Sequence, residues 1–410
     1  MLQNLSHLLS QIQRGDRVFL RGDLNVPIRD GQITDTNRLE AIMPTLTKLL
    51  DAGAVVTLAT HLGRPQGHDP EFSTGPIAHY LKANLTTPIH HIQEFPPAAD
   101  YQQHLQDQSP GSVNLLENLR FDVREKTNDE DFAKLLISGC RYYVNDAFGC
   151  CHRAHASVSA ITRFKPSFMG LLIEKEVQVL EEIRDQPQRP FWVISGGAKV
   201  RDKLGVLSQL APRLDGVVCT GGLANTLLHG DGVDVGASVI EEDALDTIRD
   251  LLSGDVQIIL PTDFIAGDQP FNPQETQSLV SGEPVPAHLS FFDIGPQSVN
   301  KICQHLSQAK TVFWNGPAGV FESAEFSSGT RTLAGFLAQL NARVVIGGGD
   351  SAAAVRQMNL ADHFDHVSTG GGAALEFLEG KSLPGLVALE TANSHDSESH
   401  DSESHDSESH

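Results

Sequence analysis

Residues 191–203 read FWVISGGAKVRDK. Four apolar residues, two of them β-branched, and a serine give way to a pair of glycines and then to a charged segment. There Lys199 and Lys203 stand four apart, on one face of a helix. A short buried strand, a glycine turn and a helix, in that order, make half of a β–α unit on a parallel sheet. The same grammar recurs along the chain. Apolar runs stand at 18–20, 55–59, 113–116 and 142–145, and again at 216–220, 257–260, 311–314, 344–347 and 366–368. Glycine or polar residues and then helical periodicity follow them. Ten such runs predict an α/β protein with mainly parallel sheets.

A chain of 410 residues exceeds one ordinary core, and at ~150 residues per domain it suits two. Between the two sets of runs lies IEKEVQVLEEIR, residues 173–184, a helix with Ile173, Val177, Leu180 and Ile183 along one stripe. The prolines of DQPQRP, 185–190, end it. Residues 173–190 therefore read as an interdomain helix and linker, with domains on either side at 1–172 and 187–374. Residues 1–12 carry leucines at helical spacing without a basic lead, which describes a surface helix and not a secretion signal. From His395 the chain repeats HDSES three times and ends in His410. This stretch, 394–410, has nothing to bury and is expected to be disordered. Its histidines could take up a transition metal weakly, or the tail is inert.

Hydrophobic residues make up 40% and charged residues 20% of the chain, and mean hydropathy is −0.18, as in folded soluble proteins. With 30 Lys and Arg against 52 Asp and Glu, the net charge of −22 argues against nucleic acid or an anionic membrane as partner. Five cysteines without a C-x-x-C pair suggest neither a disulfide framework nor a zinc site, which fits the cytoplasm. Cations concentrate in the first half. Residues 1–186 hold 18 of the 30, and most are arginines.

In open α/β sheets ligands bind beyond the carboxyl ends of strands. After the first-half runs come RGDLNVP (21–27), THLGRP (60–65), ENLRF (117–121) and DAFGCCHRAH (146–155). With Arg38, one sheet edge is expected to present Arg21, Arg38, His61, Arg64, Arg120, His152 and Arg153. A single arginine is ordinarily solvated surface. Several at successive strand ends form a cationic bowl suited to a small, multiply charged anion. Cys150 and Cys151 beside them read as packing residues more readily than as nucleophiles.

After the second-half runs the turns are glycine-rich: GGAKVRDK (196–203), GGLAN (221–225), NGPAGVFE (315–322), GGGDS (347–351) and TGGGA (369–373). Such turns entering helices offer backbone N–H groups to phosphate. Asp350 at the lip of one of them suits Mg²⁺ held beside phosphate oxygens. Residues 380–382, Gly-Lys-Ser, imitate the end of a P-loop, but Leu375 stands where its first glycine belongs.

Taken in order, the strings RGDLNVP, THLGRP, ENLRF, DAFGCCHRAH, GGAKVRDK, WNGPAGVFE, GGGDS and STGGGAALEFLEGKSLPG closely resemble the phosphoglycerate kinase family, from about Arg17 to Leu389. The resemblance implies two Rossmann-like domains facing each other across a hinged cleft. It assigns 3-phosphoglycerate or 1,3-bisphosphoglycerate to the first domain, which residues 375–393 would rejoin, and ATP or ADP with Mg²⁺ to the second. Asp23, Leu24, Asn25, Arg38, His61, Leu62, Gly63, Arg64, Arg120 and Arg153 would bind the glycerate. Lys199, Lys203, Gly221, Asn315, Glu322, Gly348, Gly349, Asp350 and Ser351 would hold the nucleotide, with Asp350 the metal ligand. Arg38, Lys199 and Gly371 would act on the transferring phosphoryl group. Gly22 and Leu24 stand where the family often has Val and Phe, and Cys150-Cys151 where it often has Thr-Ala. No charged group is lost.

The expected reaction is reversible phosphoryl transfer between 1,3-bisphosphoglycerate and ADP, by positioning and charge neutralisation. Hinge bending about residues 173–190 would exclude water. A monomer is expected. Two alternatives stay open: a non-catalytic binding protein of the same fold, and metal buffering through the tail.

Overall fold

The computed structural model describes residues 2–96, 101–251 and 256–401. The chain divides into two units, Met1–Val177 with Ser382–His410, and Gln178–Lys381.

The first unit holds a six-stranded parallel sheet in the order Ile89–Ile92, Val113–Leu116, Val55–Ala59, Arg17–Gly22, Tyr142–Asp146, Ser167–Met169. Its central strands are buried along nearly their whole length, as a sheet covered on both faces requires. Alternation along each strand sends residues to two cores. Val18, Leu20, Val56 and Leu58 pack with Leu39, Ile42 and Leu46 of the helix Asn37–Asp51. Phe19, Ala59, Leu116 and Tyr143 pack on the other face with Phe132 and Leu136 of the helix Glu130–Ile137.

The second unit repeats the plan: Gln257–Ile259, Gly216–Cys219, Phe191–Ser195, Thr311–Asn315, Arg343–Gly347 and His366–Val367, all parallel. It adds an antiparallel sheet of Thr276–Val280, Asp263–Gly267 and Ser290–Ile294. All ten apolar runs form strands. The sequence reading passed over Ile89–Ile92 and Ser167–Met169, which lie at the margins of their sheet, where burial demands less of the pattern.

Each parallel sheet reverses its winding once. In the first unit the strand Arg17–Gly22 leads to Val55–Ala59 on one side, while its other neighbour, Tyr142–Asp146, leads the opposite way to Ser167–Met169. In the second, Phe191–Ser195 and Thr311–Asn315 stand in the same relation. The crevice beyond the carboxyl ends of such a strand pair is where open α/β sheets bind ligands.

The helix Leu171–Asp185 starts in the first unit and ends in the second. Asp146 caps its start, its Oδ1 accepting from Leu172 N at 2.8 Å and Ile173 N at 3.2 Å. The chain returns to the first unit at Ser382 and not at 375, because the helix Gly372–Leu378 packs on Arg201–Leu210 within the second. The last helix, Pro384–Asp401, runs on into the repeat that was expected to be disordered from 394. Lengthening a formed helix needs no new nucleus, so Ser, Glu and His are tolerated there. Residues 402–410 lie outside the described residues. Among those described, no helix is long and apolar enough to cross a membrane.

Candidate active site

At the crevice of the first unit, side chains tie the loops together. The Leu24 N–H donates to Thr60 Oγ1 at 2.9 Å, and the Gly63 N–H to Asn25 Oδ1 at 2.9 Å. Asn118 accepts from the backbone of Leu62 and Arg120, and donates to the carbonyls of Leu62 and Phe72. Glu117 takes hydrogen bonds from Ser73 Oγ, Thr74 N and Asn118 N, with His91 Nε2 3.5 Å away. Burial pushes its carboxyl up, but these donors hold it down to about 2.

This lattice brings Asp23, Arg38, His61, Arg120 and Arg153 into one electrostatic neighbourhood. Arg38, in the first turn of its helix, donates to Asp23 Oδ1 at 2.8 Å. Arg120 is buried and donates to the Gly63 carbonyl. Burial and then Arg153 lower its pKa. Arg153 donates from Nε to His152 Nε2 at 3.0 Å. Burial, with Arg21, Arg120, Arg38 and Arg153, holds His61 well below the ordinary histidine value. Arg64 is exposed. A concentration of guanidinium groups, of which Arg38 is paired with Asp23, around one partly open loop cluster can receive a compact anion.

One expectation fails. Arg21 does not face the bowl: it is fully buried, its guanidinium held by Ser157, His61, Cys150 and the Gly22 carbonyl. The strand Arg17–Gly22 alternates, and position 21 falls on an inward face. Cys150 and Cys151 are buried free thiols whose pKa values burial raises, Cys150 to about 11, so neither is a nucleophile.

In the second unit the crevice is built from main chain. Gly196 N donates to the Asn315 carbonyl at 2.9 Å and Gly197 N to that of Pro317 at 3.1 Å. Gly316 has φ +99°, and a Cβ there would strike the Gly196 backbone. Ser351 Oγ accepts from Gly316 N at 2.6 Å, linking the start of the helix Gly349–Gln357 to this turn. Lys199, Lys203, Asn315, Gly348, Gly349, Asp350, Ser351 and Gly371 line one cavity of about 310 Å³. Burial lowers the Lys203 pKa, and Asp202 and Asp350 partly offset this.

Gly197 and Ala198 also line a second, mostly apolar slot of about 180 Å³, where Gly221 lies with Val239, Phe264, Phe291 and Val320. Phe264 and Phe291 stack there at 4.0 Å. The sequence reading missed Val239, Phe264 and Phe291. They come from the antiparallel sheet and a loop, which carry no strand-end glycine signal. Glu322 is exposed and lines neither space.

The sequence matches the family model described as phosphoglycerate kinase over residues 9–381. It is similar to the phosphoglycerate kinase of Salinispora tropica, 43% identical over 399 residues covering 95% of this chain and 100% of that one. The enzyme of Thermus thermophilus is 43% identical, with 93% and 99% covered. Among solved structures, phosphoglycerate kinase from Coxiella burnetii gives a TM-score of 0.81 at 35% identity, with 93% and 98% covered. That from Pyrococcus horikoshii gives 0.82 at 30% identity, with 96% and 100% covered.

Proposed function

The chain belongs to the phosphoglycerate kinase family and catalyses reversible phosphoryl transfer between 1,3-bisphosphoglycerate and ADP, giving 3-phosphoglycerate and ATP; from that premise we propose how its residues divide the work. The first unit, Met1–Val177 with the segment that returns at Ser382, binds the glycerate. Asp23, Asn25 and the backbone at Leu24 take its hydroxyl and carboxylate end, while His61, Arg64, Arg120 and Arg153, with the loop at Leu62 and Gly63, take its phosphate. The second unit binds the nucleotide. Lys199 and Lys203 hold phosphates, with the backbone N–H groups of Gly348, Gly349 and Ser351 and the Asn315 side chain on the same wall. The adenosine lies in the slot at Gly221, and Glu322 reaches its ribose.

The observation that carries this division is the pair of crevices at equivalent switch points, one lined by guanidinium groups and the other by glycines and lysines. Transfer then needs charge neutralisation along the in-line path, which Arg38, Lys199 and the backbone at Gly371 supply. The helix Leu171–Asp185, which carries the chain from one unit to the other, is the element about which they bend. Mg²⁺ fits Asp350. Its carboxylate is exposed on the wall of the phosphate-sized cavity beside Lys203, and a hard cation seeks such oxygens. Bound there, the ion would neutralise nucleotide phosphate charge. The enzyme works as a cytoplasmic monomer without nucleic acid or membrane partners. The relatives give no support to a non-catalytic or metal-buffering role.

The test is a coupled assay of 1,3-bisphosphoglycerate formation from 3-phosphoglycerate and ATP. Arg38→Ala is expected to lose turnover by orders of magnitude, and Lys203→Ala to raise the KM for ATP about tenfold or more, as loss of a charged phosphate contact does. Unchanged kinetics in folded variants would refute the assignment of residues and leave the family membership intact.

A further inference from the structure

Asp23, His61 and Cys150 each offer one ligand atom, and the three atoms lie within 4.8 Å of one another. The composition is that of a cation site, but a cation built into the chain already fills it. Arg21 is fully buried. One of its terminal nitrogens lies 3.2 Å from His61 Nδ1 and 3.6 Å from Cys150 Sγ. Its Nε donates to Ser157 Oγ at 2.8 Å, and its other terminal nitrogen to the Gly22 carbonyl. A metal ion would have to displace a guanidinium held on every side, within a field that Arg38, Arg120 and Arg153 also make positive.

A guanidinium carries donors and no acceptor. His61 Nδ1 accepts from it, with the protonated Cys150 thiol 3.9 Å away as a second donor to the same nitrogen, and an accepting ring nitrogen bears no hydrogen. The imidazolium form is excluded, because both its nitrogens donate. The neutral ring then keeps its one proton on Nε2. We propose that Arg21 is a positioning residue that holds His61 as the neutral Nε2–H tautomer, so that Nε2 is a fixed donor to the glycerate. The second half of this statement rests on the reading that His61 binds that substrate.

The socket around Arg21 is consistent with such a role. Ser157 Oγ, which accepts from Arg21, donates its own hydrogen to Glu125 Oε1 at 2.7 Å, and Ser157 N donates to Glu125 Oε2 at 3.0 Å. Glu125 is fully buried, so one carboxylate beneath the loop anchors the serine that anchors the arginine. Asp23, within 4.8 Å of the His61 and Cys150 ligand atoms, adds a further negative charge, and the Cys150 thiol stays protonated because burial raises its pKa to about 11. Burial and the surrounding arginines disfavour a charged His61 from the same direction. With no solvent exposure, Arg21 acts on substrate only through its neighbours.

The experiment is imidazole ¹⁵N NMR on the full-length protein labelled at histidine, with His61→Gln identifying the His61 signals. It is read about one pH unit either side of the usual histidine pKa. Wild-type His61 is expected to show a bare Nδ1, a protonated Nε2 and no titration. A proton on Nδ1, or ordinary titration, overturns the proposal. In Arg21→Met, which keeps the stem but no donor, His61 is expected to populate both tautomers. The KM for 3-phosphoglycerate should rise about tenfold, the worth of one hydrogen bond to a charged group, with kcat changed less. Arg21→Lys, which retains a donor, should restore the tautomer. An unaltered tautomer in folded Arg21→Met also overturns the proposal, and if that variant does not fold the wild-type spectrum decides. An unchanged KM in His61→Gln would remove the substrate half and leave the tautomer lock standing, so the two readings fail separately.

Discussion

At the switch point of the first unit the chain gathers polar side chains and lets them organise one another. Glu117, Asn118, Asn25 and Thr60 fix the loops, and Asp23 and Ser157 fix the arginines. At the corresponding point of the second unit, side chains are removed so that backbone can meet backbone, as where Gly316 and Gly196 approach. The sheets are the same, and the difference follows from the ligands proposed for them. A small anion with a chiral carbon needs directional guanidinium and amide contacts. A polyphosphate is served by N–H groups at helix starts, which require close main-chain approach. The first unit is therefore vulnerable to losing charge and the second to gaining volume.

Arg38→Ala is the largest break of the first kind. Turnover should fall about 10²- to 10³-fold, the range for deleting one preorganised electrostatic contact to a transition state, while the melting temperature moves little because Arg38 is part-exposed. Stopped-flow or coupled kinetics beside a thermal melt separates the two. Gly316→Ala is the break of the second kind. Its φ of +99° and the adjacent Gly196 backbone should cost about 2–4 kcal/mol of stability. Nucleotide affinity should fall with it. Gly335→Ala is the control, in the helix Ser328–Leu337 with open space at the Cβ position. It should stabilise by up to about 1 kcal/mol and leave kinetics unchanged.

Glu117→Gln sharpens the contrast by attacking the scaffold of the first site. Hydrogen bonds hold the folded carboxyl at about 2, below its ordinary 4.5. A group depressed in this way contributes stability above its unfolded pKa and loses it as pH falls through the folded one. Wild type should therefore lose about 2 kcal/mol between about pH 4.5 and 2, a figure discounted for partial solvation. The glutamine variant should lack this contribution at neutral pH and show a flatter acid limb in urea denaturation.

The fold was largely legible because strand, turn and helix each leave a local mark, and ten repetitions of 'apolar run, then glycine' agree with one another. The bowl was legible for the same reason: His61, Arg120 and Arg153 follow strand ends, and Arg38 joins them from the first turn of a helix. Arg21 was not. It sits in the same motif as Asp23 and Asn25, and its guanidinium turns inward to partners remote in sequence, such as Ser157, 136 positions away. The apolar slot was hidden because Val239, Phe264 and Phe291 lie in segments that look like ordinary core. The point of return at Ser382 depends on how the helix Gly372–Leu378 packs, which its own sequence does not state.

Asp146 in the first unit and Asp293 in the second are alike at a finer scale. Both are buried carboxyls at strand ends, each accepting from a helix start: Leu172 and Ile173 N–H for Asp146, and the Gly329 N–H, at 2.7 Å, for Asp293. Burial raises both to about 7, against an ordinary 3.8. An acid raised in the folded state stabilises fully below its unfolded pKa, and that contribution is lost as pH rises through the folded value. Asn cannot ionise, so the stability difference between wild type and Asp146→Asn should shrink steadily from about pH 4 to about 7, and likewise for Asp293→Asn. Urea unfolding followed with a probe in each unit tells them apart, since each substitution should shift only the transition of its own unit if the two unfold separately. A slope in one variant and none in the other would mean that the shared capping geometry conceals different solvation at the two strand ends, and that the likeness of the units stops at their sheets.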